Sequence, residues 1–321
     1  VLVLCGGPDR ERPVSLKSGA AVAAALREAG HEVRERDILP DNLDALDEFA
    51  RWQGQVIFPA LHGQWSEGGG LQTILDARGV PYVGCRTAAA QLCMDKARTK
   101  SALAEHGLPT PAWQVLTRDT RCDVPAPLVL KPPCEGSSID VAICRDARQV
   151  EQARATLHER HAQLLAEAFI AGKEMTVGVL ETLATAPDRT TDPSPRLNHL
   201  QALPPIQIVP ATEFYDYQAK YDRDDTRYLL DPQAIGLSED VYDQLGVLAK
   251  ATHRALGCRH MGRVDIMVDS DNQPWILEVN TIPGFTSHSL LPMAAARAGV
   301  PMPALVDRLV RLAVVADGVR A

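Results

Sequence analysis

The chain reads as an α/β protein that opens on a parallel sheet, and three observations predict this. Val1–Cys5 and Val56–Leu61 are continuous apolar runs, as expected of strands buried on both faces. Each ends at a glycine-bearing turn and is followed by a segment of helical period. Towards the other end, Gly262–Asp269 and Trp275–Asn280 are β-branched runs joined by a polar turn through Ser270-Asp271-Asn272-Gln273, the pattern of a β-hairpin. Alternating strands and helices imply a parallel sheet with ligands at the carboxyl ends of its strands.

The elements follow in order. After Val1–Cys5, Gly6-Gly7-Pro8 breaks the strand, and Ser15 is placed to cap a helix running to Ala29, with Gly30 as its stop. Val56–Leu61 closes at His62-Gly63, and Leu71–Arg78 reads as a short helix. A helix from about Thr87 to His106, stopped by Gly107 and Pro109, connects to a middle part. That part runs strand Leu128–Lys131, loop Pro132–Ser138, strand Val141–Cys144, helix Ala147–Ala162, then strands Leu164–Phe169 and Glu174–Leu180. Ala184–Leu200 carries three prolines and no apolar period, and reads as an exposed hairpin extension, with disorder as the alternative. Leu203–Val209, a polar loop with Tyr215, Tyr217 and Tyr221, a helix Glu239–Leu256, the hairpin and closing helices complete the chain. These breaks divide it into 1–92, 93–182 and 183–321, in line with roughly two or three domains for 321 residues.

Composition narrows the class. Hydrophobic residues make up 45% and charged residues 23%, the balance of a soluble globular protein. No apolar run reaches the roughly 18 residues of a membrane span. Val1 leads directly into the first strand without an initiator Met, so the numbered chain reads as trimmed at its start, and no signal peptide is visible in it. Seven cysteines without a Cys-x-x-Cys pair argue against a disulfide framework or zinc ribbon and for a reducing cytoplasm. Cys5, Cys93 and Cys144 sit in apolar patterns as small buried residues. The net charge of −8 disfavours a general nucleic-acid or anionic-membrane binder.

The hairpin carries the clearest chemistry. A turn centred on Asp271-Asn272 sets Asp265 opposite Glu278 and Arg263 opposite Asn280. These four share one face, with Met267 and Ile276 beyond them, while Val264, Ile266, Val268, Leu277 and Val279 share the other. Two carboxylates and a carboxamide are hard oxygen ligands of the kind that suit Mg²⁺ bound with phosphate. Thr281-Ile282-Pro283-Gly284 follows, where backbone N–H groups can approach an oxyanion. A hairpin with one solvated face is the plainer reading, and the convergence of three acceptors with an Arg outweighs it.

Other segments are weaker alone. Lys131-Pro132-Pro133-Cys134-Glu135-Gly136-Ser137-Ser138 can cradle phosphate, or be a surface turn; it is not a Walker A loop. Lys96 in Met94-Asp95-Lys96 could be merely solvated. Glu167, Phe169 and Ile170 end a strand and could hold an adenine face and a ribose edge, or be an ordinary strand end. Glu11 can bind an ammonium group or complement a helix dipole. His62 could orient a carboxylate or be structural, and Lys220 with Tyr221 ends a loop long enough to act as a lid.

Together these segments resemble one family, the D-alanine–D-alanine ligases of the ATP-grasp superfamily. The likeness covers nearly the whole chain: Gly6-Gly7 with Glu11-Arg12 and Val14-Ser15-Leu16, Ala60-Leu61-His62-Gly63, Met94-Asp95-Lys96, and Lys131-Pro132 with Glu135-Gly136-Ser137-Ser138. It continues through Phe214-Tyr215-Asp216-Tyr217 with Ala219-Lys220-Tyr221, Gly262-Arg263-Val264-Asp265, Leu277-Glu278-Val279-Asn280-Thr281, Pro283-Gly284 and Thr286-Ser287-His288-Ser289-Leu290. The resemblance implies an N-terminal α/β substrate domain and two α+β subdomains clasping ATP, a central lid and a C-terminal catalytic part.

The implied activity is ATP-dependent joining of two D-alanines through a D-alanyl phosphate, giving the dipeptide used in peptidoglycan. By the same resemblance, Lys96 and Lys131 bind ATP phosphates, and Glu167, Phe169, Ile170 and Glu174 the adenosine, with Lys220 also at the nucleotide. Asp265, Glu278 and Asn280 hold two Mg²⁺, or Mn²⁺ in their place. Glu11 takes the ammonium of the first D-alanine, with His62 near its carboxylate. Ser137 and Tyr221 link to Glu11 and steady the lid. Arg263 and the Gly284 N–H form the oxyanion site, and Ser289 and Leu290 receive the carboxylate of the second D-alanine. A cytoplasmic homodimer acting on small molecules, without nucleic acid or membrane, is expected. Pro13, Pro133-Cys134, Ile139-Asp140, Ala168 and the longer 184–200 stretch depart from the family's usual pattern. A D-alanine–D-lactate ligase, another ATP-grasp carboxylate–amine ligase and a non-catalytic nucleotide or amino-acid sensor are the rival readings.

Overall fold

The computed structural model describes residues 1–137, 139–183, 199–210 and 225–318. Its described elements run β1 (Leu2–Gly6), α1 (Arg12–Glu28), β2 (Arg34–Ile38), α2 (Asp44–Arg51), β3 (Ile57–Pro59), α3 (Gln64–Glu67), α4 (Gly70–Arg78), α5 (Thr87–Met94) and α6 (Lys96–Glu105). β4 (Trp113–Leu116), β5 (Leu128–Lys131), β6 (Ala142–Cys144), α7 (Ala147–Leu157), β7 (Leu164–Ala168) and β8 (Gly172–Thr182) follow. The rest comprises β9 (His199–Ala202), β10 (Ile206–Val209), β11 (Arg227–Leu229), α8 (Pro232–Ile235), α9 (Glu239–Ala255), β12 (Met261–Asp269), β13 (Pro274–Asn280), α10 (Leu290–Arg297) and α11 (Met302–Ala316).

The strands form three sheets. A parallel sheet orders β2-β1-β3, and an antiparallel one orders β4-β7-β5-β6. A third, antiparallel throughout, orders β11-β10-β8-β12-β13 with β9 also on β8. β1 is buried on both faces as its sequence predicts: Leu2 and Leu4 pack with Ile38, Phe49 and Leu75, while Val3 packs with Val22, Leu26, Leu305 and Leu309. Residues of α1 and of α11 therefore share one core, which Phe285 joins edge-on to Phe58 at 5.3 Å between ring centroids.

Several expectations need correction. Helix α1 starts at Arg12, with Glu11 rather than Ser15 in the capping position. Ser15 lies a turn inside, where its buried hydroxyl accepts from Gly6 N–H at 2.8 Å and donates to the Ala60 carbonyl at 2.8 Å. It staples the ends of two strands instead of starting a helix. The expected helix Thr87–His106 is broken, because Asp95 caps a new helix by accepting from Ala97 and Arg98 N–H. Helix α7 stops at Leu157, short of Ala162, and the strand expected over Leu203–Val209 is confined to Ile206–Val209. β2, α2 and β4 are short, polar or mixed elements that the apolar pattern did not announce.

A boundary at 182/183 would also cut a sheet, since β8 pairs with β12 from Gly172↔Asp269 to Leu180↔Met261. Divided by sheets, the break falls after β7. The flanks of the 184–200 stretch do form a hairpin, with Thr182 opposite His199, while residues 184–198 lie outside the described part.

Candidate active site

The hairpin of β12 and β13 keeps the expected register at its functional end, Arg263↔Asn280 and Asp265↔Glu278. A β-bulge between Asp265 and Ile266 then shifts it, so Ile266 faces Ile276. The two apolar residues therefore trade places against the strict alternation expected. Ile276 is buried in the core with Val264, Ile266 and Val279, and Leu277 joins Met267 on the wall of a cavity. The bulge thus puts Leu277 and Glu278 on the same cavity, an apolar contact beside a carboxylate.

That cavity, about 370 Å³, lies between the four-stranded and six-stranded sheets. Val129, Lys131 and Ile143 line it from the first, Glu174, Gln207, Asp265, Met267 and Leu277 from the second. Glu167, Phe169 and Ile170, at the crossing between the sheets, are on its wall with Lys96. All these sequence-predicted adenosine and phosphate residues are brought together.

A second cavity of about 710 Å³ is walled mainly by loops. Glu11, His62, Ser137, Asn280, Gly284, Ser289 and Leu290 line it, so the expected substrate residues also converge. The two cavities have Lys96, Gly136, Arg263 and Glu278 in common. Lys220 and Tyr221 lie outside the described residues, as do Phe214 to Ala219 and Ser138.

The groups at this junction are interlocked. The break at Asp95 makes Lys96 the first residue of α6, and its ammonium donates to the Glu135 carbonyl at 2.7 Å and lies 3.2 Å from Glu278 Oε2. Arg263 grips Asp265 with two bonds, Nε to Oδ1 at 3.0 Å and Nη2 to Oδ2 at 2.9 Å. Thr176, opposite on β8, donates to Asp265 Oδ1 at 2.5 Å. Asn280 Oδ1 accepts from Ile282 N–H, which fixes the chain leading to Gly284. Two carboxylates and a carboxamide with cations already opposite them suit a hard divalent ion that arrives with phosphate.

Behind the sheet-walled cavity, Lys100 and Lys131 both approach Glu167 Oε2, at 2.9 and 3.2 Å. Burial alone would raise the Glu167 carboxyl, but the two ammonium groups outweigh it and hold the pKa below the usual range. Burial depresses Lys100 to about 8, against the attraction of Glu167 and with the repulsion of Lys131.

On the loop side, the buried Glu11 sits at the start of α1 and accepts from Ser137 Oγ. Ser137 adopts φ 51°, so the backbone after Lys131 turns sharply there. His62 Nε2 lies 3.1 Å from Ser18 Oγ, and its Nδ1 3.5 Å from Glu67. Ser18 also accepts from Phe285 N–H, which ties His62 to the loop after Gly284. A Cβ at Gly284 would stand 2.6 Å from Ser289 Oγ, so a side chain there would displace that hydroxyl. Ser289 in turn precedes α10 and accepts from Thr286 N–H.

Sequence reasoning missed Lys100, Thr176, Ser18 and the apolar walls Val129 and Ile143. Lys100 follows Lys96 by one helical turn, a spacing that would have flagged it had the helix start been placed at Asp95. Val129 shares a strand face with Lys131, which the alternation of buried Leu128 and Leu130 announces.

The class follows from these sheets and their shared junction: the fold is that of the ATP-grasp ligases. D-alanine–D-alanine ligase from Bacillus anthracis, solved in complex with ATP, matches with a TM-score of 0.79 and 29% identity over 99% of this chain and 97% of its own. VanG D-Ala:D-Ser ligase from Enterococcus faecalis, at 24% identity and TM-score 0.79 over 97% of this chain and 98% of its own, shows the same fold. The family model described as D-ala D-ala ligase C-terminus matches residues 102–311. The D-alanine–D-alanine ligase of Marinobacter nauticus is 42% identical over 97% of this chain and 90% of its own length. That of Moorella thermoacetica is 39% identical over 98% of each. The chain belongs to the D-alanine–D-alanine ligase family.

Proposed function

We propose that this protein uses ATP to join two D-alanines into D-alanyl-D-alanine for peptidoglycan. The observation that carries this reading is the junction at Lys96, Gly136, Arg263 and Glu278, where a sheet-walled and a loop-walled cavity meet. ATP occupies the sheet-walled cavity, its adenosine against Glu167, Phe169, Ile170 and Glu174 and its phosphates on Lys96 and Lys131. Glu11 holds the ammonium of the first D-alanine, and His62 lies near its carboxylate.

A carboxylate oxygen of that D-alanine attacks the γ-phosphorus, the bond to the β-phosphate oxygen breaks, and ADP leaves. Asp265, Glu278 and Asn280 would hold two Mg²⁺, or Mn²⁺ in their place, and through them offset the charge of the transferring phosphoryl group. The amine of the second D-alanine, its carboxylate received at Ser289 and Leu290, then attacks the acyl carbon. Arg263 and the Gly284 N–H stabilise the tetrahedral oxyanion, and phosphate departs. Ser137, bonded to Glu11, joins the phosphate loop to the ammonium site, and the segment with Lys220 and Tyr221 acts with the lid to keep water from the acyl phosphate.

The division that accompanies this reading is a substrate domain to about residue 92, a lid to about 171 and a catalytic part beyond. No helix among the described residues is long and apolar enough to cross a membrane. A cytoplasmic homodimer is the assembly this reading takes. The test is phosphate release from ATP with D-alanine, L-alanine, or D-alanine plus D-lactate, the product identified by mass. Dipeptide from D-alanine alone is expected. Depsipeptide as the main product near neutral pH, or no amino-acid dependence, would overturn the assignment.

A further inference from the structure

Lys100 is fully buried, lines neither cavity, and yet ends beside the residues that wall the first one. Its ammonium donates to Thr110 Oγ1 at 2.6 Å and lies 2.9 Å from Glu167 Oε2. Thr110 gives its own hydroxyl proton to the Ile276 carbonyl at 2.8 Å, so its oxygen can only accept from Lys100. The lysine is therefore held in place by the backbone of the catalytic hairpin. Lys131, which does line the cavity, reaches the same carboxylate oxygen at 3.2 Å.

Two ammonium groups thus share one buried carboxylate, and the cluster carries one positive charge more than Glu167 can neutralise. A buried carboxylate stripped of its partner is heavily penalised. If Lys131 were the sole partner, moving it to a phosphate would leave Glu167 unpaired. We infer that Lys100 is a positioning residue for nucleotide binding, the standing counter-charge of Glu167 that releases Lys131 to pair with phosphate. The inference rests on the reading of the sheet-walled cavity as the ATP site, and it deepens that reading.

The test measures MgATP binding by calorimetry, with no amino acid present, for wild type, Lys100→Met, Glu167→Gln and the double variant. Lys100→Met should weaken binding by about ten-fold or more, because a buried ion pair must then be broken. In the Glu167→Gln background the same change should alter binding by less than about three-fold, since no carboxylate is left to hold Lys131. A merely structural lysine would cost equally in both backgrounds, and that result overturns the inference. So does unchanged binding by Lys100→Met, which leaves the ATP reading standing, whereas a wild type that binds no MgATP overturns both. If Lys100→Met does not fold, the double variant against Glu167→Gln decides: the two bind alike, or the inference fails.

Discussion

The sheet-walled cavity and the loop-walled cavity are built by different means, although they meet at four residues. In the first, side chains are aimed by strand geometry: Val129 and Lys131 share one face of β5, and the bulge in the hairpin turns Leu277 to the wall that Met267 also lines. Its charges are buried and paired with each other, as in Lys100, Glu167 and Lys131. In the second, positions are set by backbone turns: Gly63 at φ 98°, Ser137 at φ 51°, and Gly284 packed against Ser289. A wall of many small apolar contacts should tolerate single losses, whereas a turn whose added atoms displace a bonded side chain should not.

The junction belongs to both cavities, and the largest effect is expected there. Glu278→Gln is nearly isosteric but removes the charge that faces Lys96 at 3.2 Å and would bind metal. Ligation should fall by about a thousand-fold or more, as expected for loss of a metal ligand in phosphoryl transfer. Circular dichroism and thermal unfolding should stay close to wild type. A folded variant with normal Mg²⁺-dependent turnover would break the assignment of the hairpin as the shared centre.

A second effect should strike both cavities through the fold. His253 is buried behind β12, its ring 3.3 Å from where a Gly262 Cβ would stand, and burial brings its pKa down to about 4. His260 accepts from Gly84 N–H at Nδ1, and burial, reinforced by Arg259 and Arg86, holds it well below the ordinary value. Both are neutral when folded and have a pKa near 6.5 when unfolded, so the unfolded chain binds more protons below that pH. Stability is fully present above pH 6.5 and falls as pH drops towards about 4, by about 2 kcal/mol at pH 5 for His253 alone. Denaturant unfolding from pH 7 to 5 measures it, and His253→Gln should flatten the slope. An unchanged slope would remove His253 from the account.

Gly284→Ala separates the cavities. The added methyl would stand 2.6 Å from Ser289 Oγ and must push that residue from its bond with Thr286 N–H. Turnover should fall about ten- to hundred-fold, as for a disturbed oxyanion donor, with the KM for ATP nearly unchanged. A rise in the ATP KM equal to the loss in turnover would show that the turn supports the sheet-walled cavity as well.

The same contrast explains what the sequence revealed. The residues that line the loop-walled cavity were legible because they fall in ordered motifs: Glu11, His62-Gly63, Gly136-Ser137 and Thr281–Leu290 keep their spacing without coordinates. The hairpin register at Arg263, Asp265, Glu278 and Asn280 was legible because side chains alternate, and it failed at Leu277 because a bulge breaks alternation without a sequence mark. Lys100 and Thr176 were invisible for another reason, since each acts on a partner distant in sequence, Glu167 and Asp265. The parallel sheet was read from its apolar runs, but β2, Arg34–Ile38, is a largely polar strand whose pairing with β1 only tertiary structure decides. Asp95 had the residue type of a helix cap but stood within a continuous helical period, and capping prevailed.

The smallest expected effect tests the tolerance of the sheet-walled cavity. Val129 stands on β5 between Leu128 and Leu130, which are buried on the opposite face, and its side chain lines the cavity. Val129→Ala removes two methyl groups from one wall while Lys131, Ile143, Met267 and Leu277 remain. The loss of apolar contact is worth roughly 1 kcal/mol, or about five-fold in the KM for ATP. The KM for D-alanine should not move, because Val129 does not line the second cavity. Steady-state kinetics with each substrate varied in turn measures both constants. A loss larger than that of Gly284→Ala would mean that the apolar wall, and not the turn, is the part with no slack, and the comparison would have to be inverted.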